Sequence, residues 1–146
     1  MNQDMTGGRQ MKKRIFMLSL VMGLLMFVII GKSEAKKVVV PIGQDGVQRV
    51  DVLAGSYFYE PDYIVVKKGL PVEITIKKEP GLTPHNIVLK NAEAGIDIEE
   101  DLTGEPKVIR FIPKKAGKYS FYCTRRFLFF KSHREQGMEG ILEVSE

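Results

Sequence analysis

The sequence predicts an all-β fold, an antiparallel two-sheet sandwich or barrel. Three observations carry this: about eight short apolar stretches follow one another, turn residues punctuate them at roughly ten-residue intervals, and no convincing amphipathic helix stands between them. No internal repeat or low-complexity tract is present.

The clearest strand is Pro71–Lys77, where Val72, Ile74 and Ile76 alternate with Glu73, Thr75 and Lys77. Other expected strands are Lys37–Ile42, with a proline suited to a strand end or edge, Val47–Leu53, Tyr57–Tyr59, Tyr63–Lys68, His85–Lys90, Lys107–Ile112, Lys118–Cys123 and Gly140–Val144. Residues 91–104 are acidic and glycine-punctuated and are the least decisive segment, with Glu99-Glu100-Asp101 as a solvated face. The expected core is Ile64, Val66, Val72, Ile74, Ile76, Ile87, Leu89, Ile109, Phe111, Tyr119, Phe121, Ile141 and Val144.

Residues 1–35 read as a leader and 36–146 as one domain. Residues 15–30 are an uncharged apolar run, preceded by Lys12-Lys13-Arg14 and followed by small residues at 33 and 35. That is the pattern of a secretory signal peptide. Its length also approaches the roughly 17–25 residues of a membrane span, so an uncleaved anchor is the competing reading. Residues 1–10 are dispensable to the fold on either. Of 22 basic and 18 acidic residues, 17 and 16 lie beyond residue 35, so the domain carries about +1 and the basic excess belongs to the leader. No clustered basic face points to nucleic acid. An exported, periplasmic monomer is expected, touching membrane only through the leader if that stays attached.

With one cysteine the chain forms no internal disulfide, so a lone thiol in an oxidising compartment requires another purpose. Cys123 and Met138 flank one loop between two strands, His133 lies inside that loop, and His85, the other of the two histidines, begins a strand from elsewhere. Two imidazoles, a soft thiolate and a weaker thioether suit copper in both common oxidation states. Each residue alone has a bland reading, as a buried apolar thiol, a structural histidine or a core methionine. Their joint placement favours a site. A hydrolytic Cys–His pair would need an orienting group, a nucleophile turn and oxyanion donors, and none is legible; no enzyme is expected. Zinc would want four strong ligands. A binuclear copper centre would need a second cysteine.

The order His85-Asn86, Tyr122-Cys123-Thr124, His133, Met138, together with Tyr-Phe-Tyr-x-Pro-x-x-Ile-x-Val-x-x-Gly at residues 57–69, resembles the cupredoxins, the blue copper proteins typified by plastocyanin and azurin. The resemblance runs from Tyr57 to Val144. It implies a Greek-key β-sandwich and a single type 1 copper held by His85, Cys123, His133 and Met138. It also implies that Asn86 hydrogen-bonds the ligand loop near Thr124 and that the Pro84 carbonyl approaches the metal from the opposite side. The implied function is electron transfer, with electrons leaving through the edge of the loop histidine to a redox protein such as a cytochrome or oxidase.

One departure is large: nine residues separate Cys123 from His133, many more than in familiar members. The insert either displaces His133 or folds so as to restore it, for instance as a turn of helix. It carries Arg125, Arg126 and Lys131 around Phe127, Leu128, Phe129 and Phe130. That is either a docking surface for an acidic partner or an apolar plug with a solvated rim. Two further functions stay open: copper storage or delivery, and a metal-free binding module.

Overall fold

In the computed structural model, which describes residues 37–126 and 128–146, the chain is built almost wholly of strands. The expected leader and Phe127 lie outside the described residues. The strands are β1 Lys37–Val39, β2 Gln48–Gly55, β3 Phe58–Glu60, β4 Tyr63–Lys67, β5 Val72–Lys78, β6 His85–Asn91, β7 Ile96–Leu102, β8 Lys107–Phe111, β9 Gly117–Tyr122 and β10 Glu139–Ser145. A 3-10 turn at Arg134–Gln136 precedes β10.

They form two sheets, one ordered β1-β4-β10-β9-β6-β7 and the other β3-β2-β5-β8. The sandwich is as expected, but the sheets are mixed rather than antiparallel. β4 pairs in parallel with both β1 and β10, and β2 with β5. Between β1 and β4 the chain crosses to the other sheet, through β2 and β3, before returning, and such a crossover lets neighbouring strands run the same way.

The alternation in β5 is realised: Val72, Ile74 and Ile76 are buried between the sheets and Lys77 is exposed. Ile64, Val66, Ile87, Leu89, Ile109, Phe121 and Val144 join them in the core, with Phe111 and Tyr119 half-buried against it. Each fully buried branched side chain contributes about 1.5–3 kcal/mol. Ile141 is a correction, because the inward residues of β10 are Gly140, Leu142 and Val144. Gly140 is inward because the Phe121 ring occupies the space a side chain would need, 2.3 Å from an added Cβ. A period of two then turns Ile141 outward.

Residues 91–104, undecided in the sequence, are settled by the structure. β7 runs through them as the hairpin partner of β6, burying Ile96, Ile98 and Leu102 while Asp97, Glu99 and Asp101 face solvent. Lys90 on β6 meets Glu99 across the pair, so the acids form the outer face of a strand.

Candidate metal centre

The sheet order brings three strands together at one end: β10 beside β9, and β9 beside β6. Cys123 follows the last residue of β9 and Met138 precedes the first of β10. Antiparallel pairing of Tyr122 with Glu139 therefore sets them side by side, with the Cys123 amide donating to the Met138 carbonyl at 3.1 Å. His85 opens β6 at the same end.

The insert folds on itself. The His133 amide donates to the Arg125 carbonyl at 2.9 Å, and Arg126 bridges Ser132 in an antiparallel pair. The extra residues thus leave and return at one point, and the chain from Cys123 reaches His133 as though the loop were short. This, not a turn of helix within the insert, restores the histidine. After it, the Met138 amide donates to the His133 carbonyl at 2.9 Å, closing the 3-10 turn that ends at Gly137, whose φ of 98° suits a residue without a side chain.

Three donor atoms converge as a result. His133 Nδ1 lies 3.1 Å from His85 Nδ1 and 3.5 Å from Cys123 Sγ. One donor atom from each of the three residues falls within 4.8 Å of the others. Cys123, His133 and Met138 are wholly buried and His85 is 6% exposed. Burial, then the neighbouring His133 and the Lys78 charge, lowers the His85 pKa to about 4, and burial lowers that of His133. Both rings are thereby held neutral at ordinary pH, as ligation requires. A thiol and two neutral imidazole nitrogens turned on one point fit a soft or borderline ion such as copper.

Asn86 locks the arrangement. Its Nδ2 donates to Thr124 Oγ1 at 2.8 Å and its Oδ1 accepts the Thr124 amide at 2.9 Å, joining β6 to the residue after Cys123. Tyr59 adds a contact that pattern reading missed: its hydroxyl donates to the Asn86 carbonyl at 2.6 Å from a buried position, its ring edge-on to Phe121. A tyrosine inside an alternating run reads only as apolar, so no sequence signal marks that hydroxyl. Pro84 and Thr124 are themselves exposed.

Around the insert, Leu128, Phe129 and Phe130 are exposed, and the Phe129 and Phe130 rings stack at 5.0 Å. They do not plug the sandwich. Arg126 and Lys131 are exposed beside them, whereas Arg125 is ion-paired with Asp101 of β7. His133 departs from expectation: its ring edge does not reach the surface. Tyr57, at a φ of 66° that side chains rarely adopt, lays its ring edge-on against His133 with centroids 5.0 Å apart.

Residues 19–137 match the family model described as Cupredoxin-like domain. No curated protein matches the sequence. Among solved structures, the chain is similar to the metal-binding domain of the Streptococcus pneumoniae D39 Cu(I)-exporting P-type ATPase CopA, determined with Cu(I). The two share 26% identity over 78% of this chain and 100% of that one, with a TM-score of 0.58. A copper-binding protein solved in its apo form is 25% identical over 77% of this chain and 100% of that one, with a TM-score of 0.57. Dithionite-reduced auracyanin from Roseiflexus castenholzii, at 19% identity over 67% and 97% with a TM-score of 0.55, shares the fold. Two mixed sheets with a His–Cys–His cluster at one end, and a family match spanning most of the sequence, agree: the chain belongs to the cupredoxin-like domain family.

Proposed function

We propose that the domain holds one type 1 copper ion through His85, Cys123, His133 and Met138 and carries single electrons between exported redox partners. When bound, copper supplies the one-electron couple. The residues supply a fixed, buried site: the Asn86 clamp holds two of its segments together, and burial keeps both imidazoles neutral. The observation that carries the reading is closure. All four side chains are buried, three of them with donor atoms within 4.8 Å of one another and Met138 joined to Cys123 by a backbone hydrogen bond. Among the described residues there is no other cysteine, histidine or methionine to which an ion could be handed. A resident ion suits a carrier of electrons better than a carrier of metal.

The apolar tip at Phe129 and Phe130, with Arg126 and Lys131 at its edge and Arg125 tied back to Asp101, suits docking to an acidic face of a cytochrome or oxidase. Phe127 is assigned to the same surface on sequence alone.

Copper(II) added to the protein is expected to produce an intense blue thiolate-to-metal band, lost in Cys123→Ser. Bound copper without the band sinks the type 1 assignment. His133→Ala that keeps band and potential removes His133 from the set.

Copper delivery is the second reading, favoured by the likeness to a Cu(I)-exporting ATPase domain and a copper-binding protein. Rapid loss of Cu(I) to a competing chelator favours it. Repeated redox cycling with full retention of metal favours electron transfer.

A further inference from the structure

The four buried side chains raise the question of how an ion reaches them. Two depressions flank Thr83 at this end of the sandwich. The larger, about 310 Å³, is bounded by Tyr57, Thr83, Phe130 and Gln136, and none of the four candidate ligands lines it. The Tyr57 ring stands against His133 there, and His133 is wholly covered. The smaller, about 40 Å³, lies between the end of β2 at Ala54 and Gly55, with Ser56 after it, and the β5–β6 loop from Lys78, and His85 is in its wall. His85 is also the one candidate ligand with any exposure. A space of that size admits a water molecule or a small ion and excludes a bulky chelate.

The rim of the smaller cavity carries opposed charges. The Lys78 ammonium donates to the Gly81 carbonyl at 2.5 Å and the Glu79 carbonyl at 3.4 Å, fastening the start of the loop to itself in the cavity wall. The Glu79 carboxylate lies against Gly55, where an added Cβ would come within 2.7 Å of Oε2. The Phe58 ring, 2.2 Å from the same point, is what chiefly requires glycine there, and the acid shares that space in the cavity wall. A cation approaching His85 therefore meets an attracting carboxylate and a repelling ammonium, and the ammonium is also the latch of the loop.

We infer that copper reaches the centre through the cavity beside His85, drawn in by Glu79 and checked by the Lys78–Gly81 latch, and not past His133. The inference rests on the copper-binding half of the proposed function and holds whether electrons or ions are passed on. Ligation displaces the Cys123 thiol proton to solvent and leaves the oxidation state of the ion unchanged.

The test is stopped-flow uptake of aqueous Cu(II) by the metal-free full chain. Uptake is read as quenching of fluorescence from its five tyrosines, in the absence of any tryptophan, so that binding is seen whatever its colour. Glu79→Gln is expected to slow uptake and Lys78→Met to speed it, each by about tenfold at low salt and less as salt rises. Gln136→Ala is the mirror control. Gln136 Nε2 donates to the Lys131 carbonyl at 3.0 Å and so fastens the insert on the His133 side, and its loss should leave the rate as in wild type. Circular dichroism establishes that each variant is folded. Wild-type rates in both Lys78→Met and Glu79→Gln, or faster uptake in Gln136→Ala, overturn the inference. Quenching with these rates but no blue band leaves the port standing and sinks the type 1 reading. No uptake at all overturns both.

Discussion

The two halves of the candidate centre are positioned by different means. His85 stands on a strand: its backbone pairs with Leu102, the next residue is clamped to Thr124, and Tyr59 holds that residue's carbonyl. His133 stands on a loop, held mainly by backbone bonds to its own neighbours at Arg125, Gln136 and Met138. On the strand side, position is inherited from the sandwich, and side-chain contacts couple site and fold. On the loop side, position comes from the insert closing on itself, and site and fold are nearly separate. Damage to the first half should cost more stability than damage to the second, which should chiefly alter chemistry or docking.

Acid is the largest test. His85 in the folded protein takes a proton only near pH 4, below its ordinary 6.5, because burial and then His133 and Lys78 disfavour the charged ring. The unfolded chain takes that proton near 6.5, so the contribution is full above that pH. It is lost as pH falls through the window to 4, by about 3 kcal/mol. Urea midpoints of the metal-free protein at pH 7.5 and 4.5 measure it, and His85→Gln should reduce the difference, leaving the part due to His133, whose pKa burial also lowers. A difference unchanged in His85→Gln would mean that the strand-side histidine does not carry it.

Asn86→Ala comes next, at about 2–3 kcal/mol, because it removes two hydrogen bonds and strands a Thr124 amide. Thermal unfolding reads it, and a shifted visible band or potential in the loaded protein would show that the clamp also shapes the site. On the loop side, Glu135→Ala loses the carboxylate that accepts from both the Ser132 amide and hydroxyl at 2.7 Å, and should cost about 0.5–1 kcal/mol. Phe129→Ser should change stability by less than about 0.5 kcal/mol while weakening association with a redox partner. A loop-side loss as large as that of Asn86→Ala would erase the distinction between the halves.

Much of this was legible in sequence because period-two alternation reports directly on which face of a strand is buried. Val72, Ile74 and Ile76 are examples. In β7 the signal was obscured, since Glu99-Glu100-Asp101 places three acids in succession and only pairing with β6 shows that the first and last face outward. Parallel pairing of β4 with β10 leaves no local trace, because it joins residues about eighty positions apart through registers that no periodicity encodes. At the centre, residue types pointed to His85, Cys123, His133 and Met138, but not to the covering of His133. That depends on Tyr57, a residue whose role is set by its left-handed backbone and not by its place in a pattern.

Closure of the insert at Arg125 and His133 has a consequence for how such a protein can change over time. A segment whose two ends are stapled to each other can lengthen, shorten or exchange its tip without transmitting strain to the histidine at its base. The tip is then a replaceable fitting on a standard socket. Lineages could acquire new docking tips by swapping it whole, and engineered chimaeras carrying foreign segments between Arg126 and Ser132 should inherit the donor's partner while keeping the colour and potential of the host.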